Sequence, residues 1–145
     1  MNCGRCWIVV AALLGASAVT LGAYHAHGLE KWLAGRGLAT DKVQEQMHNC
    51  DVAVRYQMVH ALALLGIGLL ARGGVSRLVH VSGTLFLLGV VGFSGGLYLM
   101  VFAGTSIHWA IVPGGGLLLI VAWFVLALAA LLPSKNSARP DSTPG

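Results

Sequence analysis

The sequence predicts an all-α integral membrane protein that crosses the bilayer with four helices. Hydrophobic residues make up 57% of its 145 positions and charged residues only 10%, against about 25% charged in an average soluble domain. A soluble fold of this length would leave much of that apolar surface in water, because small domains bury only part of their chain. The apolar residues also run in four continuous stretches without alternation, which selects helices over a barrel. The 20 glycines suit helix faces that meet closely in lipid. One domain, residues 1–132, accounts for the spans. The remainder, 133–145, follows Pro133 and is rich in Ser, Pro and charge, the composition of a disordered polar tail.

The first span runs from Trp7 to Tyr24 without a charge. Before it, Cys3-Gly4-Arg5-Cys6 forms a CxxC. No second CxxC completes a zinc site and no βαβ context supports a redox pair, so the pair is read as incidental. A cleaved signal peptide is the rival account of this stretch: Arg5 as n-region, Ile8 to Leu14 as h-region, Ala16-Ser17-Ala18 as cleavage-like site. The apolar run continues past that site to Tyr24, which favours a retained span.

The connection to the second span carries Leu29, Trp32 and Leu33 at i, i+3 and i+4, the pattern of a short interfacial helix with a Trp anchor. Gly35 and Gly37 end it. Thr40 or Asp41 is expected to cap the next helix, with Gln44 in capping-box spacing after Asp41. Val43, Met47, Cys50 and Val54 then form an apolar stripe, and Asp51 precedes Arg55 by four, the favourable order for an ion pair. With no Gly or Pro to interrupt it, one long helix is expected from Asp41 to Ala71. Its amphipathic first half lies outside the hydrocarbon and its second half is span two. Span three runs from Leu78 to Ala103 and span four from Ile107 to Leu132, with Pro113 near its start. Each is long enough to cross a hydrocarbon core of about 30 Å.

Four spans put both termini on one side. That side holds Arg5, Arg72, Arg77, Lys135 and Arg139; the other holds Lys31, Arg36, Lys42 and Arg55. The excess is slight and places the termini in the cytoplasm by the positive-inside rule. On the far side, topology gathers polar or helix-breaking residues from four segments. These are His25 and His27 after span one, and Arg55, Tyr56, Gln57 and His60 at the start of span two. Ser94 and Tyr98 end span three, and His108, Trp109 and Pro113 open span four. The candidate cluster is therefore His27, Arg55, Tyr56, Gln57, His60, Ser94, Tyr98 and Pro113. Polar groups in hydrocarbon cost free energy unless paired, so these should face the bundle interior.

Haem ligation would use two histidines from different helices, but only His60 reads as intramembrane. A zinc site from His25, His27 and His60 lacks an acidic or Cys partner. A hydrolase built on Ser94 and His60 lacks a carboxylate to orient the base. Conduction of protons or small solutes would use His60, Tyr56, Gln57 and Tyr98 as a polar lining. The plainest account is a polar network that holds helix register, in a non-enzymatic protein with no cofactor. The expected partners are the lipid bilayer and a membrane protein or second copy of the chain. Nucleic acid is excluded, because no basic patch is interleaved with aromatics. Gly92 and Gly96 make a GxxxG in span three, and Ala11/Gly15 and Ala18/Gly22 are small-xxx-small pairs in span one, all faces for close helix packing.

Residues Leu21 to Leu29, Val54 to Leu65, Phe93 to Tyr98 and Pro113 to Gly115 together resemble a known family. It comprises the small bacterial inner-membrane proteins typified by YgdD-like and YwdK-like members, with eukaryotic relatives called transmembrane protein 256. The similarity covers about Gly15 to Trp123. It implies four spans in a bacterial inner membrane, argues against signal cleavage and implies no activity. The chain departs from the family pattern in having His25 where Gly is usual, Gly96 where a second Ser is common, and Ala122 where Gly precedes Trp123. His27 and His60 are thus better candidates for a shared role than His25.

Overall fold

The computed structural model describes residues 3–73, 77–105 and 110–132. Five α-helices follow in order: α1 (Cys3–Tyr24), α2 (Glu30–Gly35), α3 (Thr40–Leu70), α4 (Arg77–Ala103) and α5 (Ile111–Leu131). Among the described residues there is no strand. Four of the resulting helical segments are long and apolar enough to cross a membrane. His108, Trp109 and the polar tail lie outside the described residues.

Span one is longer than its apolar run. It starts at Cys3 and continues through a π-helical turn, His25–Leu29, directly into α2. The expected interfacial helix therefore exists but is an extension of span one, with helical backbone angles at Tyr24, Leu29 and Glu30. Arg36 and Gly37 close α2 by donating to Leu33 O and Ala34 O. Gly37 has φ +73°, a conformation that costs an L side chain and not glycine.

The long helix is present from Thr40 to Leu70, 31 residues or roughly 46 Å, ending in a 3₁₀ turn at Ala71–Gly73. Its cap differs from expectation. Ala39 occupies the N-cap in extended conformation and no side chain caps the helix. Thr40 and Asp41 are instead the first helical residues, where Asp41 faces the positive end of the dipole. A hydrocarbon core of about 30 Å cannot contain the whole helix, so its first half projects on the far side. There Leu29, Leu33, Val43, Cys50 and Val101 form a buried cluster with Met47, Val54, Tyr98 and Phe102 packed on it. Arg36 ties this end together. It donates from Nη1 to Phe102 O at 3.3 Å, one of the carbonyls a helix C-terminus leaves unpaired, and lies 4.8 Å over the Trp32 ring.

The helices pack serially, α1 on α3, α3 on α4 and α4 on α5. Backbones approach where side chains vanish. Along α1, Gly4, Ala11 and Ala18 recur every seven residues and are all buried, the spacing of a seam between supercoiled helices. A Cβ on Gly4 would come 2.8 Å from Gly68 O, and one on Gly68 2.9 Å from Ile8 N. Across α4 and α5, a Cβ on Gly92 would sit 3.2 Å from Gly115 Cα, and one on Gly89 3.1 Å from Gly115 O. The small face that meets α5 thus includes Gly89 and Gly92, three residues apart. The cleavage-like Ala16-Ser17-Ala18 lies inside α1, with Ala18 completely buried.

Candidate functional site

Tyr56, Gln57 and His60 occupy adjacent turns of α3, yet they face different helices. At 3.6 residues per turn, Gln57 lies about 60° around the axis from His60 and about 100° from Tyr56. Gln57, 4% exposed, turns to α1. Its Nε2 donates to Leu14 O at 2.9 Å and to Ser17 Oγ at 2.7 Å, and the Ser17 hydroxyl donates to Leu14 O at 3.0 Å. Both amide hydrogens are used, so the donor end of the side chain is paired inside the membrane.

His60, 5% exposed, turns to α4 and α5. Its Nδ1 lies 2.7 Å from Tyr56 O, and Trp123 Nε1 donates to its Nε2 at 3.3 Å. Both contacts are hydrogen bonds only if Nδ1 carries the proton and Nε2 is bare, which assigns the neutral Nδ1–H tautomer. Rings enclose it. Phe86 is 5.5 Å and Tyr56 6.0 Å from the imidazole centroid. Trp123 meets Phe86 edge-on at 4.9 Å and 76°, a favoured aromatic geometry. Tyr56 also packs on Phe93 at 4.5 Å. Trp123 lies near the midpoint of α5, a 21-residue helix, so the His60–Trp123 bond sits close to the bilayer centre.

The other candidates are placed as follows. Arg55 makes a two-pronged pair with Asp51, Nε to Oδ1 at 3.0 Å and Nη2 to Oδ2 at 2.8 Å. His27 is exposed, whereas His25 Nε2 lies 3.2 Å from Met47 O and joins the π-turn to α3. Ser94 and Tyr98 stand one turn apart on α4; Ser94 Oγ and Tyr98 Oη are buried and bond to no group among the described residues. Pro113 sits in the first turn of α5, where its missing N–H disturbs no helical bond, and Gly114 N donates to Ala110 O. Of the candidates, Gln57 thus belongs to an α1–α3 bond set and Tyr56 and His60 to an α3–α4–α5 set, while His27, Arg55, Ser94, Tyr98 and Pro113 join neither.

Sequence reasoning missed Ser17, Phe86 and Trp123 as members of these sets. One signal was available for Trp123: a tryptophan in mid-span departs from the usual interfacial belt. Two further bonds were also unforeseen. Trp7 Nε1 donates to His80 Nδ1 at 3.2 Å, and Ser82 Oγ donates to Ala122 O at 2.8 Å. Among the described residues, no three His, Cys, Asp or Glu side chains converge on a point that would hold a metal ion.

Four apolar spans joined by buried polar bonds define a multi-pass helical membrane protein. The chain belongs to the family described as "Protein of unknown function (DUF423)", which matches residues 21–116. A UPF0382 membrane protein of Staphylococcus epidermidis is 41% identical over 127 residues, covering 88% of this chain and 96% of its own length. The UPF0382 membrane protein YwdK of Bacillus subtilis is 36% identical over 129 residues, covering 88% and 97%. A UPF0382 membrane protein of Haemophilus influenzae is 32% identical over 121 residues, covering 83% and 90%. No solved structure matches the chain.

Proposed function

We propose that the protein is a non-enzymatic membrane scaffold that acts through helix packing, with a membrane-protein partner or a second copy meeting its outer faces. The observation that carries this is the occupancy of His60. Both ring nitrogens are engaged, one by Tyr56 O and one by the Trp123 indole, so no lone pair is left to accept a proton or bind a metal. The remaining bonds between buried side chains and neighbouring helices likewise join one helix to another. No carboxylate lies within this network to complete a Ser–His–Asp type of arrangement.

Conduction of protons or small solutes is the second reading. Ser94 Oγ and Tyr98 Oη favour it, since they are polar atoms one turn apart on α4 that spend no bond on the described residues. Proteoliposomes separate the two. The purified protein is expected to show no flux of protons above empty vesicles at any pH from about 5 to 8, the range over which an unperturbed histidine changes charge. A pH-dependent flux lost in His60→Ala would overturn the scaffold reading in favour of conduction.

The relatives named above are bacterial, and we place this chain in the bacterial plasma membrane with both termini in the cytoplasm. The small excess of Lys and Arg on the terminal side supports that orientation. A reporter fused after Gly145 is expected to be active only in its cytoplasmic form; a periplasmic signal would reverse the assignment.

A further inference from the structure

We infer that the crevice between α3 and α5 holds one acyl chain of a phospholipid whose phosphate lies on Arg55. The inference goes beyond the scaffold reading and is tested independently of it.

The crevice has a volume of about 570 Å³. Val59 on α3 and Ile120 on α5 form its walls, Phe93 of α4 its floor, the His60 and Trp123 rings its inner end, and Pro113 its outer end. Both walls belong to helices that run from the far side towards the terminal side, so depth can be read along either. From Trp123 to Pro113 is ten residues, about 15 Å of helix. That is one leaflet's share of a hydrocarbon core of about 30 Å. The crevice therefore runs from the bilayer centre to the far interface.

Its width selects the occupant. A volume of about 570 Å³ over about 15 Å is a cross-section of roughly 38 Å², whereas a helix about 10 Å across needs roughly 79 Å². A hydrocarbon chain enters and a helix does not. The chemistry agrees. The polar atoms at the inner end, His60 Nε2 and Trp123 Nε1, are already bonded to each other, so nothing at depth asks for a polar ligand.

The outer end supplies the headgroup contact. A second cavity of about 150 Å³ shares Tyr56, Val59 and His60 with the crevice and continues to Arg55. The Arg55 side chain is 75% exposed. Asp51 engages its Nε and Nη2, which leaves Nη1 free to donate to a phosphate oxygen, a pairing the guanidinium geometry favours. One lipid then satisfies both ends: hydrocarbon along Val59 and Ile120, phosphate at Arg55.

Native mass spectrometry of the detergent-solubilised full chain tests this, with dioleoyl phosphatidylethanolamine and dioleoylglycerol added separately. The expected result is one phosphatidylethanolamine per chain, held more strongly than dioleoylglycerol, which has the same chains and no phosphate. Arg55→Gln should weaken retention about fivefold, the worth of one basic contact at the membrane surface, and bring the two lipids level. Val59→Trp should plug the crevice and abolish retention, while Leu13→Trp, on the exposed outer face of α1, should change nothing. If Val59→Trp loses helicity by circular dichroism, Ile120→Trp is read in its place. Equal retention of both lipids by the unaltered chain, retention that survives a plugged crevice, or a dimer dispersed by Val59→Trp would each overturn the inference.

Discussion

Gly115→Val is expected to separate α4 from α5 and to destabilise the protein by about 3 kcal/mol or more, the upper range for overpacking. A Cβ at Gly115 would run into Phe93 N and Gly92 C, which are backbone atoms and have no rotamer to escape into. Interiors are packed near crystal density, so relief requires the helices to move apart. That would also strain the Ser82–Ala122 bond and the Trp123–His60 bond, both of which cross to α5. Gly114→Val is the control. It adds the same side chain one residue earlier, where nothing lies within 4 Å, and should change stability by no more than the helix-propensity difference of about 0.5 kcal/mol. Unfolding of both variants in mixed micelles, followed by far-UV circular dichroism, measures the contrast. Similar midpoints for the two would show that α4 and α5 do not approach as described.

His60→Leu is expected to cost about 2 kcal/mol, and the double variant with Trp123→Phe clearly less than the sum of the two singles. A hydrogen bond between membrane helices averages only about 0.6 kcal/mol. The larger figure arises because His60→Leu strands the Trp123 N–H in hydrocarbon and removes a ring packed on Phe86 and Tyr56. A buried polar group left unpaired costs about 1–3 kcal/mol. Trp123→Phe removes that stranded donor, so the second substitution should partly relieve the first. The coupling energy of the double-mutant cycle measures the bond itself. Additive effects would mean that His60 and Trp123 do not interact.

Much of this was legible from residues in order. Composition and uninterrupted apolar runs specify four membrane helices, because hydrocarbon admits no unpaired backbone and leaves the helix as the form that such runs take. The unbroken stretch from Asp41 to Ala71 specifies a helix longer than the membrane, and Thr40–Leu70 is the helix found. Asp51 and Arg55 specify their own pair, since four residues apart is a local distance on any helix. What lay beyond reach was which face of each helix meets which neighbour. Tyr56, Gln57 and His60 read as one polar group because they lie within five residues of sequence and at similar depth. Their angular separation around α3 sends Gln57 to Ser17 on α1 and His60 to Trp123 on α5, and only the arrangement of the other helices turns that angle into a choice of partner. Ser17 carries no local mark of its role and Trp123 only its mid-span position, because their partners lie 40 and 63 positions away in the chain. The glycine faces follow the same rule: Gly92 was visible as a small residue, but that Gly89 joins it against Gly115 was decided by how α4 meets α5. Sequence thus determined the number, length and depth of the spans, which depend on transfer of each segment into lipid. Tertiary structure decided the pairing of polar groups and the crevice, which depend on distances between segments that local chemistry does not set.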